Sequence, residues 1–352
     1  MNSRERVLCT LNHQEPDRIP ITLAYETPDV ILQRYGKKTE DLPIRQDIFM
    51  VNVQAPPHPA RIRERYFADM PLAADVYFDS LGVARWNSPS GESYATVGPL
   101  RNAKSIADIE NFPWPDAGAD QWAANLSAEV ADLHNRGLAV MGVGGSIFEH
   151  SWYMFGMERL MMGLYTDLDV VLCLFDKLTE LAKGRARQCA RAGVDILRMA
   201  DDIASQQAMM IAPELWRQIL KPRLAEVITV AREIRPGLPV FYHSDGNVGA
   251  VIDDLIEIGV TILNPVQPEA INPFEVKKRY GTRLALWGTI GTQTVLPFYT
   301  PEEIRSTVKE YCQVLGKGGG YVIAPTHSIE RDVTWENIEA FYRAVEEYGV
   351  YR

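Results

Sequence analysis

The chain has 352 residues, of which 46% are hydrophobic and 23% are charged, and its formal net charge at pH 7 is -10. This composition is typical of a soluble globular protein with a large core, and it excludes a disordered or collagen-like chain. The acidic excess is scattered along the chain and disfavours general binding to nucleic acid or to anionic membranes.

The N-terminal residues and the cysteines indicate a cytoplasmic protein. Residues 1–6 lack an apolar signal segment, and no later run approaches the roughly 20 apolar residues that span a bilayer. The cysteines form no C-x-x-C pair, which indicates neither a disulfide scaffold nor a thiolate zinc cluster; they are Cys9, Cys173, Cys189 and Cys312.

Short runs of suitable composition predict eight strands, which in chain order cover residues 19–24, 75–78, 138–143, 195–200, 240–243, 261–265, 284–287 and 321–324. From the third run onward they are apolar and short, as is typical of parallel strands covered by helices. Amphipathic patterns between and after these later runs predict helices at residues 168–190, 213–234, 248–258, 273–280, 301–315 and 334–348.

The alternation of strand and helix predicts an α/β chain that forms one domain, residues 1–352, folded as a closed (β/α)8 (TIM) barrel. In this fold the loops that follow the strands build the active site. The N-terminal half is less regular, because residues 36–75 and 83–121 are too long for plain connections. We expect these stretches to be insertions that cap the barrel mouth.

The end of the strand predicted at 240–243 is a candidate metal site. Residues two apart on a strand point to the same side, so His243 and Asp245 can direct a nitrogen and a carboxylate at one point. If His327 ends a neighbouring strand, it adds a third ligand and leaves a position open for substrate or water. The alternatives are histidines with hydrogen-bond partners in the core, and an aspartate that forms a turn before Gly246.

Other polar residues also follow the predicted strands, where a barrel has its chemistry. The candidates for acid–base or electrostatic catalysis are Asp202, Asp201, Asp79 and Glu26. The candidates for substrate contacts are Tyr25, Glu149, Asn264, Gln267 and Thr289. The alternative is that loops begin with polar residues in any protein and that an aspartate caps the following helix.

Several motifs together resemble the uroporphyrinogen decarboxylase superfamily. They are SRERV, LNH and EPDRIP within residues 3–20, DDIASQ at 201–206 with APELW at 212–216, HSDGN at 243–247, and GGYVIAP at 319–325. They occur in the family's order over nearly the whole chain. The resemblance implies the barrel independently of the periodicity argument.

The superfamily contains decarboxylases and cobalamin-dependent methyltransferases, and the resemblance is closer to the methyltransferases. An Arg-rich segment of the decarboxylases that grips substrate carboxylates has no counterpart here, since residues 24–28 read AYETP. In the methyltransferases a His-x-Cys pair and a later Cys hold zinc. At these positions His243 is retained, while Asp245 and His327 replace the cysteines, which implies a harder site for zinc or another divalent metal.

We therefore predict a metal-dependent methyltransferase that moves a methyl group between a corrinoid, carried by a partner protein docked over the barrel mouth, and a small-molecule donor or acceptor. The alternative is a carboxy-lyase in which Asp79 or Asp202 stabilises a developing cation. A third class is a barrel that binds a tetrapyrrole or corrinoid without turnover. Because the predicted mouth is acidic, we expect a substrate that is neutral, cationic, or anionic at only one end.

Overall fold

A computed structural model describes residues 1–23, 32–38, 41–53, 61–87, 93–116 and 121–351. Within these residues one sheet has seven strands and a second sheet has three. In chain order the strands are β1 (Ile48–Asn52), β2 (Tyr77–Phe78), β3 (Ala84–Asn87), β4 (Ser93–Val97), β5 (Ala139–Gly145), β6 (Ile196–Ala200), β7 (Val240–His243), β8 (Ile262–Asn264), β9 (Ala285–Trp287) and β10 (Tyr321–Val322).

The larger sheet is parallel throughout and has the order β1-β5-β6-β7-β8-β9-β10. Its two edges are joined by an extended segment around Ile21. Ile21 forms a parallel bridge with Ile323 beyond β10, and its carbonyl accepts a hydrogen bond of 3.1 Å from the Asp47 N–H just before β1. The predicted α/β barrel is therefore confirmed. The segment predicted as its first strand, residues 19–24, contains Ile21, which connects the two edges of the sheet.

The prediction of the second barrel strand was wrong. Residues 77–78 belong to the small antiparallel sheet, where β2 pairs with β3 and β3 with β4. The second barrel strand is β1, which lies inside a stretch that we predicted to be an insertion. Its sequence IFMVN begins with four apolar residues, like the later strands. We predicted it to be part of an insertion because the stretch around it is Pro-rich and polar.

The helices are α1 (Ser3–Leu11), α2 (Ile62–Tyr66), α3 (Ile106–Glu110), α4 (Gln121–Asn135), α5 (Phe148–Phe155), α6 (Met157–Thr166), α7 (Leu168–Ala192), α8 (Pro213–Ile219), α9 (Lys221–Ile234), α10 (Ile252–Glu257), α11 (Pro273–Tyr280), α12 (Val295–Phe298), α13 (Pro301–Leu315) and α14 (Trp335–Tyr348). The helix predicted at 213–234 is divided at Leu220, because Pro222 lies in the first turn of α9 and has no N–H to donate to the preceding turn. Among the helices described here, none is both long and apolar enough to cross a membrane.

Alternate residues of the barrel strands point inward and fill the space below the site. Phe241 and Trp287 meet there edge to face, with ring centroids 5.0 Å apart. They belong to one buried cluster inside the barrel, with Ile48, Ala139, Met141, Ile196, Ile262, Ala285, Val322 and Ala324. By the same alternation, His243 and Asn264 point inward one layer above, at the carboxyl ends of β7 and β8.

A buried ion cluster lies at the start of β1. The Asp47 carboxylate accepts hydrogen bonds from Arg6 at 2.7 Å, from Arg18 at 2.8 Å and from the Ile21 N–H at 3.0 Å. Its side chain is fully buried. Because these partners come from α1 and from the segment at the closure, the cluster ties both to the first edge of the sheet.

The small sheet lies beside the barrel mouth. The Leu100 N–H, just after β4, donates to the Met154 carbonyl of α5, the helix that follows β5. A Cβ on Gly98 would lie 2.0 Å from that same carbonyl oxygen, so only glycine permits this approach. The small sheet, which includes part of the predicted insertion at residues 83–121, therefore lies at the carboxyl end of the barrel strands.

Candidate functional site

Three potential metal ligands meet at the carboxyl ends of β7 and β10. One ligand atom each of His243, Asp245 and His327 lies within 4.8 Å of the other two. The Nε2 atom of His243 is 3.9 Å from Oδ1 of Asp245, and that of His327 is 4.0 Å from Oδ2. His243 is buried, whereas His327 and Asp245 are open to solvent on one side. The three residues predicted as ligands are thus neighbours in the fold.

The orientation of His243 follows from a chain of hydrogen bonds. The Asn264 side-chain NH2 donates to the Trp287 carbonyl at 3.2 Å, which directs the amide oxygen of Asn264 toward His243. This oxygen is 2.8 Å from Nδ1 of His243. An amide oxygen only accepts, so Nδ1 carries the proton and Nε2 presents its lone pair to Asp245. Burial lowers the pKa of His243 to about 3, so the ring is neutral at pH 7.

A sharp turn after β7 positions Asp245. Gly246 has φ of +83°, and a Cβ there would lie 2.4 Å from the Ser205 carbonyl oxygen, so the turn requires glycine. The Asp245 N–H donates to Oδ1 of Asp202 at 2.8 Å, and the Gly246 N–H donates to Oε1 of Gln267 at 3.2 Å. Gln267, predicted to contact substrate, thus supports the loop that carries Asp245.

Acidic side chains surround the neutral ring of His243. Oδ1 of Asp202 is 3.5 Å from Nε2 of His243. Partial burial, followed by the charges of Asp202 and Glu149, raises the pKa of Asp245 to about 7. The carboxyl groups of Asp202 and Asp245 therefore both lie close to the nitrogen lone pair of His243. A divalent cation bound here would reduce the repulsion between these carboxylates.

The donor set also fits a metal in its geometry. Ligand atoms of a tetrahedral zinc site with bonds of about 2.1 Å are roughly 3.4 Å apart. One ligand atom from each residue lies within 4.8 Å of the other two, so side-chain rotations that close the gaps by up to about 1.4 Å would bring the three atoms to the spacing of a zinc site. Two imidazoles and a carboxylate, with the second nitrogen of one imidazole held by an amide, are a common ligand arrangement for zinc.

Asp201 and Glu149 form a second acidic group next to Asp202. The Asp201 carboxylate accepts from the N–H groups of Ile147 and Glu149, at 2.8 and 2.9 Å, at the start of α5. It thus caps α5, which precedes it in the chain, and not the following helix that the sequence alternative named. Burial raises the pKa of Asp201. Burial and the charge of Asp202 also raise the pKa of Glu149, whose carboxylate accepts from Tyr153 and Ser146.

The remaining predicted site residues have other partners or lie outside the described structure. Asp79 accepts hydrogen bonds from the Leu81 and Val83 N–H groups and pairs with Arg85 at 2.6 Å. The Thr289 hydroxyl is 2.6 Å from the Tyr321 hydroxyl. Tyr25 and Glu26 fall outside the described residues. The catalytic and substrate-binding roles assigned from the sequence remain predictions.

The sequence reasoning missed the arginines of the mouth. Arg198 lies in the middle of β6, within the apolar run ILRMA. Its charge acts on both His243 and Glu149. A charged residue inside an otherwise buried strand was the available signal, because such a residue is rarely placed in a core without a function. Arg85 and Arg185 come from distant elements and carried no such signal.

The sequence is similar to a known protein family and to several of its members. The family model described as Uroporphyrinogen decarboxylase (URO-D) matches residues 82–348. Methylcobamide:CoM methyltransferase MtaA from Methanosarcina barkeri is 30% identical over 49% of this chain and 48% of its own length. Uroporphyrinogen decarboxylase from Magnetococcus marinus is 24% identical over 63% of each chain. The matches thus span about half to under two thirds of these relatives.

A solved structure supports the fold over the full length. It is described as a methyltransferase from Methanosarcina mazei, and it aligns with 99% of both chains at a TM-score of 0.67. At 18% sequence identity this likeness concerns the fold alone. The barrel is therefore shared with proteins of this kind.

Proposed function

This chain belongs to the uroporphyrinogen decarboxylase family, and on that premise we propose that it is a methyltransferase that moves a methyl group between a corrinoid carrier and a small molecule. The higher identity to the methyltransferase than to the decarboxylase supports this branch. The single observation that carries the proposal is the cluster of His243, Asp245 and His327 with the Nε2 lone pair of His243 turned into it.

In this proposal the three residues bind one divalent metal, zinc, and the corrinoid is carried by a partner protein that docks at the barrel mouth. The metal supplies Lewis acidity that polarises the methyl donor or acceptor. His243 binds through Nε2 because Asn264 holds the proton on Nδ1. His327 and Asp245 are open to solvent on one side, so a substrate reaches the site from the mouth.

Asp202 has a positioning role in the proposal. It receives the Asp245 N–H and faces His243 from 3.5 Å, so it fixes the turn that carries one ligand and adds negative charge beside the other. Glu149, whose pKa is raised by burial and by Asp202, retains a proton to higher pH than an ordinary glutamate. It is the candidate to give that proton to a departing oxygen or nitrogen.

Metal analysis of purified protein gives the first test. We expect close to one divalent ion per chain in the unmodified protein and loss of that ion in the double variant His243→Ala/His327→Ala. The control is Asp132→Asn on α4, an exposed residue remote from the barrel strands' carboxyl ends. A double variant with the native circular dichroism spectrum and full metal content contradicts the ligand assignment.

Corrinoid spectroscopy tests the reaction. Methylcobalamin with candidate acceptors, or cob(I)alamin with methoxylated donors, should change its absorption spectrum when the enzyme is added. We expect His243→Ala, Asp245→Ala and His327→Ala each to slow this change by at least about 10²-fold, as when one electrostatic stabiliser is removed. No spectral change with a broad panel, or full activity of His243→Ala, rejects the methyltransferase proposal.

The family match also supports a second candidate, a carboxy-lyase acting on a smaller carboxylated substrate. Of the two residues proposed for it, Asp79 is engaged by Arg85 and by two backbone N–H groups. Asp202 is the better placed to stabilise a developing cation, because it faces the same space as the metal ligands. If the Asp202→Asn variant keeps its metal but loses turnover, Asp202 acts as an acid, a base or an orienting group.

A further inference from the structure

We propose that Asp201 is a positioning residue, which holds the start of α5 against the end of β6 and thereby fixes the Glu149 carboxyl group beside the metal cluster. The role of Glu149 as a proton donor belongs to the proposed function, and in that respect this inference rests on it. The positioning by Asp201 follows from hydrogen bonds and burial, and it can be measured without any methyl transfer.

The chain leaves the barrel sheet just before α5. The pairing of β5 with β6 changes register between Val143 and Gly145, and Gly145 has φ of +117°, a conformation that favours glycine. Ser146 and Ile147 therefore lie beyond the last paired residue of β5. The strand pairing no longer fixes the place at which α5 begins.

The first turn of α5 has no cap from its own sequence. Ile147 precedes the helix, and its side chain has no hydrogen-bonding group. Its backbone is also in the right-handed helical region and not in the extended conformation of a usual cap. Because the first N–H groups of a helix have no partners within the helix, they need an acceptor from elsewhere.

Asp201 supplies this acceptor from the neighbouring strand. Its Oδ1 atom accepts from the Ile147 N–H at 2.8 Å and from the Glu149 N–H at 2.9 Å. The residue is buried, so water does not compete for these donors. Within the described part of the chain, these are the hydrogen bonds that tie the start of α5 to another barrel strand.

The backbone of Asp201 is itself bound to the strand that carries a metal ligand. Its N–H donates to the His243 carbonyl at 2.9 Å, which continues the pairing of β6 with β7. The next residue, Asp202, accepts the Asp245 N–H at 2.8 Å. Two consecutive carboxylates at the end of β6 therefore hold different parts of the site. Asp201 holds α5, and Asp202 holds the turn that carries Asp245.

The side chain of Glu149 follows the position of α5. Its carboxylate accepts from the Tyr153 hydroxyl at 2.5 Å and from the Ser146 hydroxyl at 3.3 Å. Both donors lie on α5 or in the turn before it, so they move with the helix and do not fix Glu149 relative to the metal ligands. Asp201 provides that connection, because it is bound both to α5 and to β7.

The ionisation of Glu149 reports its position. Burial, and after it the charge of Asp202, raise the pKa of Glu149. The groups that oppose this shift are Tyr153, Arg198 and Ser146. The other ionisable groups on which the charge of Glu149 acts are Asp201, Asp245 and Tyr242. Because burial is the largest cause, a displacement of α5 that admits water lowers the pKa of Glu149 toward its ordinary value of 4.5.

Infrared spectroscopy measures this ionisation, with the carboxylic-acid band of Glu149 identified by its absence in Glu149→Gln. In buffer with a chelator, we expect the midpoint of its titration to be at least about one pH unit lower in Asp201→Ala than in the unmodified protein. Asp201→Asn removes the charge but keeps an acceptor oxygen for the two N–H groups, so its midpoint should stay close to that of the unmodified protein. The control Thr300→Ala removes the cap of α13 and should leave the midpoint unchanged.

Equal shifts in the alanine and asparagine variants overturn the proposal, because the charge of Asp201 and not its acceptor oxygen is then responsible. If Asp201→Ala does not fold, Asp201→Ser replaces it, since the serine oxygen is one bond closer to the backbone and withdraws from the two N–H groups. An unchanged Glu149 midpoint in the folded alanine or serine variant also overturns the positioning role.

Turnover in the corrinoid assay separates this inference from the proposed function. We expect Asp201→Ala to lower kcat by about 10–100-fold, with KM and metal content unchanged, because a displaced proton donor slows the reaction without weakening binding. Asp201→Asn should retain most of kcat. Absence of turnover in the unmodified protein rejects the proposed function, whereas the infrared midpoints decide the role of Asp201 in either case.

Discussion

The Nδ1 atom of His243 lies 2.8 Å from the side-chain oxygen of Asn264, whose NH2 group is held by the Trp287 carbonyl. This arrangement assigns the proton of the imidazole to Nδ1 and leaves the lone pair of Nε2 facing Asp245, where it can bind a metal. The substrate contact that the sequence analysis predicted for Asn264 stays a prediction, and its hydrogen bonds in addition make it a support of His243. A residue on β8 thus decides which atom of a β7 histidine is available to a metal.

Removal of this support should weaken metal binding. We expect Asn264→Leu to reduce zinc affinity by about 10–100-fold, because the ring is no longer held in one orientation. Asn264→Asp is the matched variant, since a carboxylate still accepts from Nδ1 and should retain tighter binding than leucine. Competition with a chromophoric chelator measures both. Equal affinities for the leucine variant and the unmodified protein contradict the role of Asn264.

The raised pKa of Asp245 predicts a pH-dependent stability of the metal-free protein. Its pKa in the folded protein is about 7, against 3.8 ordinarily, so between these pH values the folded state holds a proton that the unfolded state has lost. Stability therefore falls as pH rises through this window. We expect Asp245→Asn to raise the melting temperature at pH 8 and to leave it unchanged near pH 4.

Zinc reverses this difference at pH 8, because it stabilises the protein with the Asp245 carboxylate and not the amide variant. Differential scanning calorimetry with and without zinc makes both measurements, with Asp132→Asn as the exposed control. A melting temperature of Asp245→Asn that is equal to that of the unmodified protein at pH 8 without metal shows that Asp245 carries no such repulsion.

Uroporphyrinogen should not be decarboxylated by this protein. The Arg-rich segment of the decarboxylases is replaced by AYETP at residues 24–28, and the carboxylates of Asp202 and Asp245 repel a substrate with many carboxylates. Chromatography of the products under strictly anaerobic conditions checks this, with a known uroporphyrinogen decarboxylase as the positive control. A stepwise loss of the acetate carboxylates would favour the carboxy-lyase over the methyltransferase as the function of this protein.

The barrel closure depends on Asp47, which is fully buried and accepts from Arg6, Arg18 and Ile21. Asp47→Ala leaves two guanidinium groups without this partner, and we expect a loss of about 3–5 kcal/mol in the free energy of unfolding. Denaturant titration measures it, with Glu339→Gln on the surface of α14 as the control. A change below 1 kcal/mol shows that the cluster does not stabilise the closure.

Local sequence patterns were sufficient to predict the regular half of the barrel and the candidate metal ligands. Strands β5 to β10 are short apolar runs whose local pattern is sufficient for their prediction, and the spacing of His243 and Asp245 places them on one side of the chain in any strand. The helices that begin with proline, such as α11 and α13, were predicted for the same local reason.

The way in which residues from distant parts of the chain come together could be seen only in the folded domain. β1 is a barrel strand because β5 and the segment around Ile21 lie on its two sides, although the Pro-rich and polar stretch that contains it predicts an insertion. Likewise Asn264 on β8 supports His243 on β7 because the two strands are neighbours in the sheet and end at the same level. Partners far apart in the chain are set by packing of the whole domain, on which local periodicity carries no information.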